Sequence, residues 1–328
     1  MFSKKMPGVP VVVGAGFAEP SHFPRQSVNT EKENGMAMGG KKLLPWYNRL
    51  FCHNTTSRQG PPMTQIIDFH THAFSDQVAA RAIPALEEAG QVKACLDGRL
   101  SALLASMDQA GVEKSVICSI ATRPEQFASI LSWSEAIRSE RIIPFPSFHP
   151  EAPEALTQIR AIRKAGFLGI KMHPYYQNFV LDENRMWPLY ERIAAEGLIL
   201  VMHTGFDIGF PRERIADPRK IVAVVERLPE LKFVATHFGA WDLWDEVEEL
   251  LIGREVYLDL SYALHLLPQA RAKAMALAHP EDYLLFGSDS PWAGQQEVLA
   301  QLSGLGLDAP FEAKIRGGNA ARLLAAAA

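Results

Sequence analysis

Eight short apolar runs, each followed by a longer amphipathic stretch, constrain this chain more than any other feature. They are residues 65–70, 115–120, 142–148, 168–173, 198–203, 232–237, 256–261 and 283–289. After the first, they begin at steps of about 24 to 34 residues, the length that a strand, a helix and two short loops require. Runs such as Leu198-Ile199-Leu200-Val201-Met202 are apolar on both faces, which suits a parallel sheet covered on both sides. The alternation predicts a single (β/α)8 TIM barrel over residues 63–328, with a doubly wound sheet as the other fold of similar rhythm. Helix punctuation agrees. Asp97 can cap a helix through Leu100 and Met107 that stops at Gly111, and Pro84 interrupts an earlier one between Asp76 and Ala89. Helices opened near Pro150–Pro153 and at Asp182-Glu183-Asn184 close at Gly166 and Gly197, and Asn319 can cap a last helix from Ala320.

Residues 1–62 have another character, with scattered Pro, Gly, Asn, Ser and Lys and one apolar stretch, Val9 to Phe17. They read as a flexible extension, with Met63 as a natural start of the barrel. Lys4-Lys5 before Val11-Val12-Val13 faintly suggests an export signal, but Pro7 and Pro10 interrupt it and no clear Ala-x-Ala site follows. Gly14-Ala15-Gly16 lacks the third glycine and the helix that a dinucleotide loop needs. A net charge of −4 offers nothing to nucleic acid or an anionic membrane, so the expected partner is a small-molecule substrate, with a homo-oligomer left open. Cys52, Cys95 and Cys118 are far apart and form no Cys-x-x-Cys. That speaks against a disulfide framework or thiolate zinc site and fits a reducing, cytoplasmic setting.

A barrel collects its active site at the C-terminal ends of its strands. Here the first strand ends in His70 and His72, the third runs into His149, and the fourth carries Lys171 and His173. The fifth ends at His203, the sixth at His237 and the eighth at Asp289. Within Asp68-Phe69-His70-Thr71-His72, strand alternation would put Asp68, His70 and His72 on one face and Ile67, Phe69 and Thr71 on the other. Any one of these histidines alone would read as a buried, hydrogen-bonded structural group, and Asp289 alone as a helix cap before Pro291. Together, imidazoles and a carboxylate form a donor set that suits zinc and its neighbours. Asp68, one layer deeper, would orient a ligating imidazole. His173, Tyr175, Tyr176, Phe206, Asp207, Trp241, Tyr262 and Trp292 fall in the following loops, where substrate contacts or lid packing belong. Arg212 or Arg214 could receive a substrate carboxylate, though such a pair is more often a solvated turn.

Five blocks carry a resemblance. Asp68-Phe69-His70-Thr71-His72, Gly169-Ile170-Lys171-Met172-His173-Pro174, Val201-Met202-His203-Thr204-Gly205, Thr236-His237-Phe238-Gly239 and Phe286-Gly287-Ser288-Asp289-Ser290-Pro291-Trp292 resemble the amidohydrolase superfamily. More narrowly they resemble its amidohydrolase-related branch, which includes aminocarboxymuconate semialdehyde decarboxylase and γ-resorcylate decarboxylase. The resemblance runs from Met63 to the C-terminus. It implies His70, His72, His203 and Asp289 as ligands of a divalent metal, zinc first and one ion favoured over two. It also implies Asp289 as proton acceptor and His237 as the group that polarises the substrate. The reaction implied is hydrolysis of a small-molecule amide, lactone or ester bond by metal-activated water. The alternative on the same scaffold is non-oxidative decarboxylation of a small carboxylic acid. Many decarboxylases of the branch replace the first histidine, so the intact His70-Thr71-His72 leans slightly to hydrolysis. A catalytically silent ligand-binding barrel is the third reading, and a lost ligand position would mark it; none is lost. One arm of the superfamily carbamylates a lysine at the position of Lys171 to bridge two metals. Otherwise Lys171 would pair with a substrate carboxylate or a barrel carboxylate such as Asp259.

Overall fold

A computed structural model describes residues 65–328. The expected extension over 1–62 lies outside the described residues. Eight strands follow: β1 (Ile67–Thr71), β2 (Lys114–Cys118), β3 (Ile142–Phe145), β4 (Gly169–Met172), β5 (Ile199–Met202), β6 (Lys232–Ala235), β7 (Tyr257–Asp259) and β8 (Leu284–Leu285). Each matches one of the eight apolar runs. Neighbours pair in parallel as β1-β2-β3 and β4-β5-β6-β7-β8. Backbone bonds outside these ladders close both gaps. Lys171 N donates to Pro146 O at 3.1 Å, while Phe69 N donates to Phe286 O and Asp289 N to His70 O, both at 2.8 Å. The sheet is therefore a closed barrel without a free edge.

The helices of the described residues are α1 (Asp76–Gly90), α2 (Leu100–Ala110), α3 (Phe127–Ile137), α4 (Ala155–Lys164), α5 (Pro174–Gln177), α6 (Trp187–Ala195), α7 (Pro218–Arg227), α8 (Trp244–Leu250), α9 (Gln269–Ala278), α10 (Gln295–Gly304), α11 (Ala309–Ala313) and α12 (Asn319–Ala325). None is long and apolar enough to cross a membrane. Strand alternation sorts the core into two layers. Phe69, Val116, Phe145, Val201 and Leu285 pack with Leu323 and Leu324 of α12, which stops the barrel at the end opposite the histidines. Ile117, Ile170, Leu200, Met202 and Leu258 face outward into the helix layer. Each such burial stabilises the fold by roughly 1.5–3 kcal/mol relative to exposure.

Three local expectations change. Pro84 does not interrupt α1, which runs unbroken from Asp76 to Gly90. Asp97 accepts from Arg99 N at 2.9 Å, a turn just before α2 rather than a cap on it. Asn319 belongs to α12, and its side chain donates to Glu281 O (2.7 Å) and Leu284 O (2.8 Å), tying the helix to β8. A polar side chain serves whichever backbone group tertiary packing brings nearest, and here that is a strand.

Candidate metal centre

β1 departs from plain alternation, and the site depends on that. Ile67 and Phe69 lie in the barrel interior, whereas Asp68 reaches the helix side, where its Oδ2 accepts from Gln295 Nε2 of α10 at 2.9 Å. The pairing register with β2 shifts between Asp68 and Thr71. That irregularity lets His70 follow Phe69 into the barrel, so Asp68 does not share the face of the histidines. Nor does it orient an imidazole. Asp68 accepts from His70 N (3.2 Å), Ser288 N (2.9 Å) and Ser288 Oγ (2.6 Å), fixing the backbone on which His70 and Asp289 stand. Burial pushes its carboxyl up to about 6 against those hydrogen bonds.

The imidazoles are oriented by other groups. His70 Nδ1 lies 3.0 Å from Asp259 Oδ2 at the end of β7 and 2.9 Å from Ser261 Oγ. His72 Nδ1 lies 2.7 Å from the Cys118 carbonyl at the end of β2. A neutral ring donates there and keeps the lone pair on its Nε2. Those two nitrogens face Asp289 Oδ1 at 3.5 Å and 3.2 Å. His70, His72 and Asp289 form one group whose ligand atoms lie within 4.8 Å of one another. Lys171 Nζ, fully buried at the end of β4, stands 3.0 Å from His70 Nε2. Asp259, which the sequence offers as a partner for that amine, hydrogen-bonds His70 instead.

His203 sits apart from this trio, in a second group with His173 and Asp207. Its ring stacks on His173 with centroids 3.9 Å apart, and its Nε2 donates to Phe206 O at 3.1 Å. His237 Nδ1 donates to Ser261 O at 3.1 Å, because the Ser261 hydroxyl proton is committed to Asp259. Hence His203 Nδ1 and His237 Nε2, only 3.0 Å apart, confront each other with lone pairs. Facing acceptors are unfavourable unless a cation or a proton lies between them. Burial holds His70, His173 and His203 well below the ordinary histidine value, with neighbouring positive groups adding to it, which disfavours a proton on His203 Nδ1. At Asp289 burial raises the carboxyl, but positive charge at His70 and His72, the role a bound cation takes when the rings are neutral, outweighs it and leaves it below the usual carboxylate value. Unprotonated imidazoles and an ionised carboxylate are the states a divalent metal requires.

Strain concentrates here. His237 (φ 60°) and Asp289 (φ 66°) both occupy the left-handed region, at a cost of about 1–2 kcal/mol each. Asp259 Oδ1 accepting His237 N at 3.0 Å and His70 O accepting Asp289 N hold them there. Gly205, at φ 88°, lets the loops after β5 and β6 touch: a Cβ on it would lie 2.0 Å from Trp241 N. Phe206 N donates to Trp241 O across that contact.

Above these groups opens a cavity of about 580 Å³. His173, Phe206, Trp241 and Trp292 line it as the sequence leads one to expect, with Tyr176, Asp207 and Tyr262. Tyr175 does not. Its hydroxyl donates to Glu213 O at 2.6 Å and Gly205 O at 3.3 Å, bracing the loop after β5. His149 also stays outside, accepting from Glu151 N at 3.2 Å. Arg212 and Arg214 pair with Asp242 and Glu246 and do not line the cavity. The sequence did not mark the wall built by α1 and α3, including Val78, Leu86, Ile130 and Trp133.

The amidohydrolase family model matches residues 67–325, spanning all eight strands and both histidine groups. The chain belongs to this family. Among curated proteins, this amidohydrolase is similar to a dihydroorotase from a Marinomonas species, 27% identical over 151 residues, or 41% of this chain and 44% of that one. It thus spans less than half the length of the curated relatives it matches. A solved TIM-barrel protein of unknown activity from Bordetella bronchiseptica is 23% identical, covering 80% of this chain and 99% of its own at a TM-score of 0.66. The 5-carboxyvanillate decarboxylase of Sphingomonas paucimobilis is 16% identical over the same shares, with a TM-score of 0.62. Further similar structures include 2,6-dihydroxybenzoate decarboxylases and a probable 2-pyrone-4,6-dicarboxylic acid hydrolase. At these identities the likeness to solved structures is one of fold.

Proposed function

We propose that this amidohydrolase is a metal-dependent hydrolase of a small-molecule amide, lactone or ester bond. The observation that carries this reading is the convergence of four imidazole ring nitrogens, the Asp289 carboxylate and the Lys171 amine at the mouth of one barrel. His70, His72 and Asp289 would hold one divalent ion, with zinc the first candidate. His203 Nδ1 and His237 Nε2 would offer donors to a second, and Lys171, 3.0 Å from His70 Nε2, would join such a site only as its carbamate. When bound, such ions supply Lewis acidity and bring the pKa of water to ~7.

The chain's own groups do the rest. Asp289, ionised and buried, accepts the proton of the attacking water and returns it to the leaving group. Asp259 and the Cys118 carbonyl hold His70 and His72 in the tautomers that expose Nε2. His237 places Nδ1 against the Ser261 carbonyl and turns Nε2 to His203 Nδ1. That favours a ligand role over the polarising role the resemblance implied. The aromatic walls limit the entry of bulk water to the reacting bond.

Decarboxylation is the second reading. The comparisons lean towards it, since similar solved structures include 5-carboxyvanillate and 2,6-dihydroxybenzoate decarboxylases. One experiment separates the two: metal-replete protein is screened on lactones, esters, amides and aromatic carboxylic acids, scoring hydrolysis products and carbon dioxide separately. Hydrolysis without carbon dioxide is the expected result. Carbon dioxide from the acids with no hydrolysis of any neutral compound would replace the first reading with the second.

A further inference from the structure

The walls above the metal centre bear on which compounds this enzyme takes. Among the described residues, Lys171 is the only lysine or arginine lining the cavity, and it lies fully buried in the floor against His70. Two arginines in the loop after β5 are committed elsewhere: Arg212 pairs with Asp242 and lies 4.0 Å from the centroid of the Phe206 ring, and Arg214 pairs with Glu246. Asp207, a carboxylate lining the cavity, would repel an anion. The other polar groups above the floor include the uncharged Ser119, Thr122 and Gln126, and the remainder is largely apolar. Five large hydrophobic side chains stay exposed among the described residues, and two of them, Val78 and Ile208, line this cavity. They flank the mouth between α1 and the loop after β5, where a Cβ on Gly90 would come within 3.1 Å of Ile208.

An anionic group beyond the scissile bond would be desolvated against these walls with no cation to meet it, a state proteins avoid. A hydrophobic group would cover Val78, Leu86, Ile130 and Trp133 and remove their apolar surface from water. We infer that the substrate is a neutral ester, lactone or amide with a hydrophobic group of roughly six to ten carbons on its acyl side, a size matched to drug-sized pockets. This inference rests on the hydrolase reading. It sets the chain apart from enzymes of acidic substrates such as the decarboxylases that share its fold.

The test uses two esters of 4-nitrophenol: the octanoate, and the monoester of octanedioic acid, which differs by a terminal carboxylate. With full-length, metal-replete protein, kcat/KM for the octanoate should exceed that for the acid by on the order of 100-fold, because the unpaired carboxylate loses its hydration. Leu86→Arg places a cation in the half-buried wall of α1 and should narrow that ratio by about tenfold. Calorimetric binding of octanamide against octanedioic acid monoamide reads the same preference without turnover. Equal or better use of the acid ester, or equal binding of the two amides, would overturn the inference. Should neither ester be hydrolysed while octanamide alone binds, the hydrolase reading fails and the ligand class stands.

Discussion

Asp289 concentrates the chemistry in one side chain: buried, ionised, strained at φ 66° and facing two imidazole lone pairs. Asp289→Asn keeps its shape and removes its ability to take a proton. Turnover of the hydrolysed substrate is expected to fall by about 10²–10⁴ with an unchanged thermal melt, and near-normal kcat would refute the base assignment. Asp259 acts one contact further out, through the proton on His70 Nδ1. Asp259→Asn frees that ring to flip or change tautomer, so metal affinity should fall roughly 10–100-fold, measured by competition with a chromophoric chelator. Unchanged affinity would mean that Ser261 Oγ, 2.9 Å from the same nitrogen, suffices. Residue types at strand ends made the histidines, Lys171 and Asp289 legible in the sequence. Asp259 and Ser261 were harder to read, since an acid and a hydroxyl at a strand end have many ordinary uses. Tyr175 and Tyr176 were interchangeable on paper, and only the phase of the short helix α5 decides which one meets the cavity.

At the scale of elements, β1 shows where periodicity misleads. Strict alternation would have put Asp68 beside His70. The register shift turns Asp68 to Gln295 and the histidines into the barrel, and a one-residue irregularity leaves no mark in composition. The end of α9 offers a prediction of its own. His279 follows that helix, donates from Nε2 to Val256 O at 3.0 Å, and is held at about 4 by burial. Because its folded value lies below the unfolded one, the unfolded chain binds more protons between those values. The stability it contributes is present above pH ~6.5 and is lost as pH falls towards 4, amounting to roughly 3 kcal/mol. Denaturant melts over that window should be less acid-sensitive in His279→Gln than in the parent. An identical pH slope in both proteins would remove His279 from the account.

Taken whole, the barrel was the most legible feature, because eight strands buried on both faces must be apolar runs at near-regular spacing. Its cavity walls were not, since Val78, Leu86 and Ile130 look like any amphipathic helix surface until α1 and α3 are placed over the strand ends. Closure of the barrel by the contacts of Lys171 with Pro146 and of Phe69 with Phe286 uses residues of the described region. A chain beginning at Met63 is therefore expected to keep a cooperative melt and full activity. Insolubility or a broad transition would show that residues 1–62 pack on the barrel.

The central claim is that the histidines, Asp289 and Lys171 form a metal centre. Elemental analysis of protein purified without chelator, alongside His72→Ala, tests it most directly. The expected result is about one to two equivalents of a divalent transition metal per chain, with about one equivalent lost in the variant while its melt is retained. Protein that is folded, carries only traces of metal and cannot be reconstituted with zinc or manganese would contradict it.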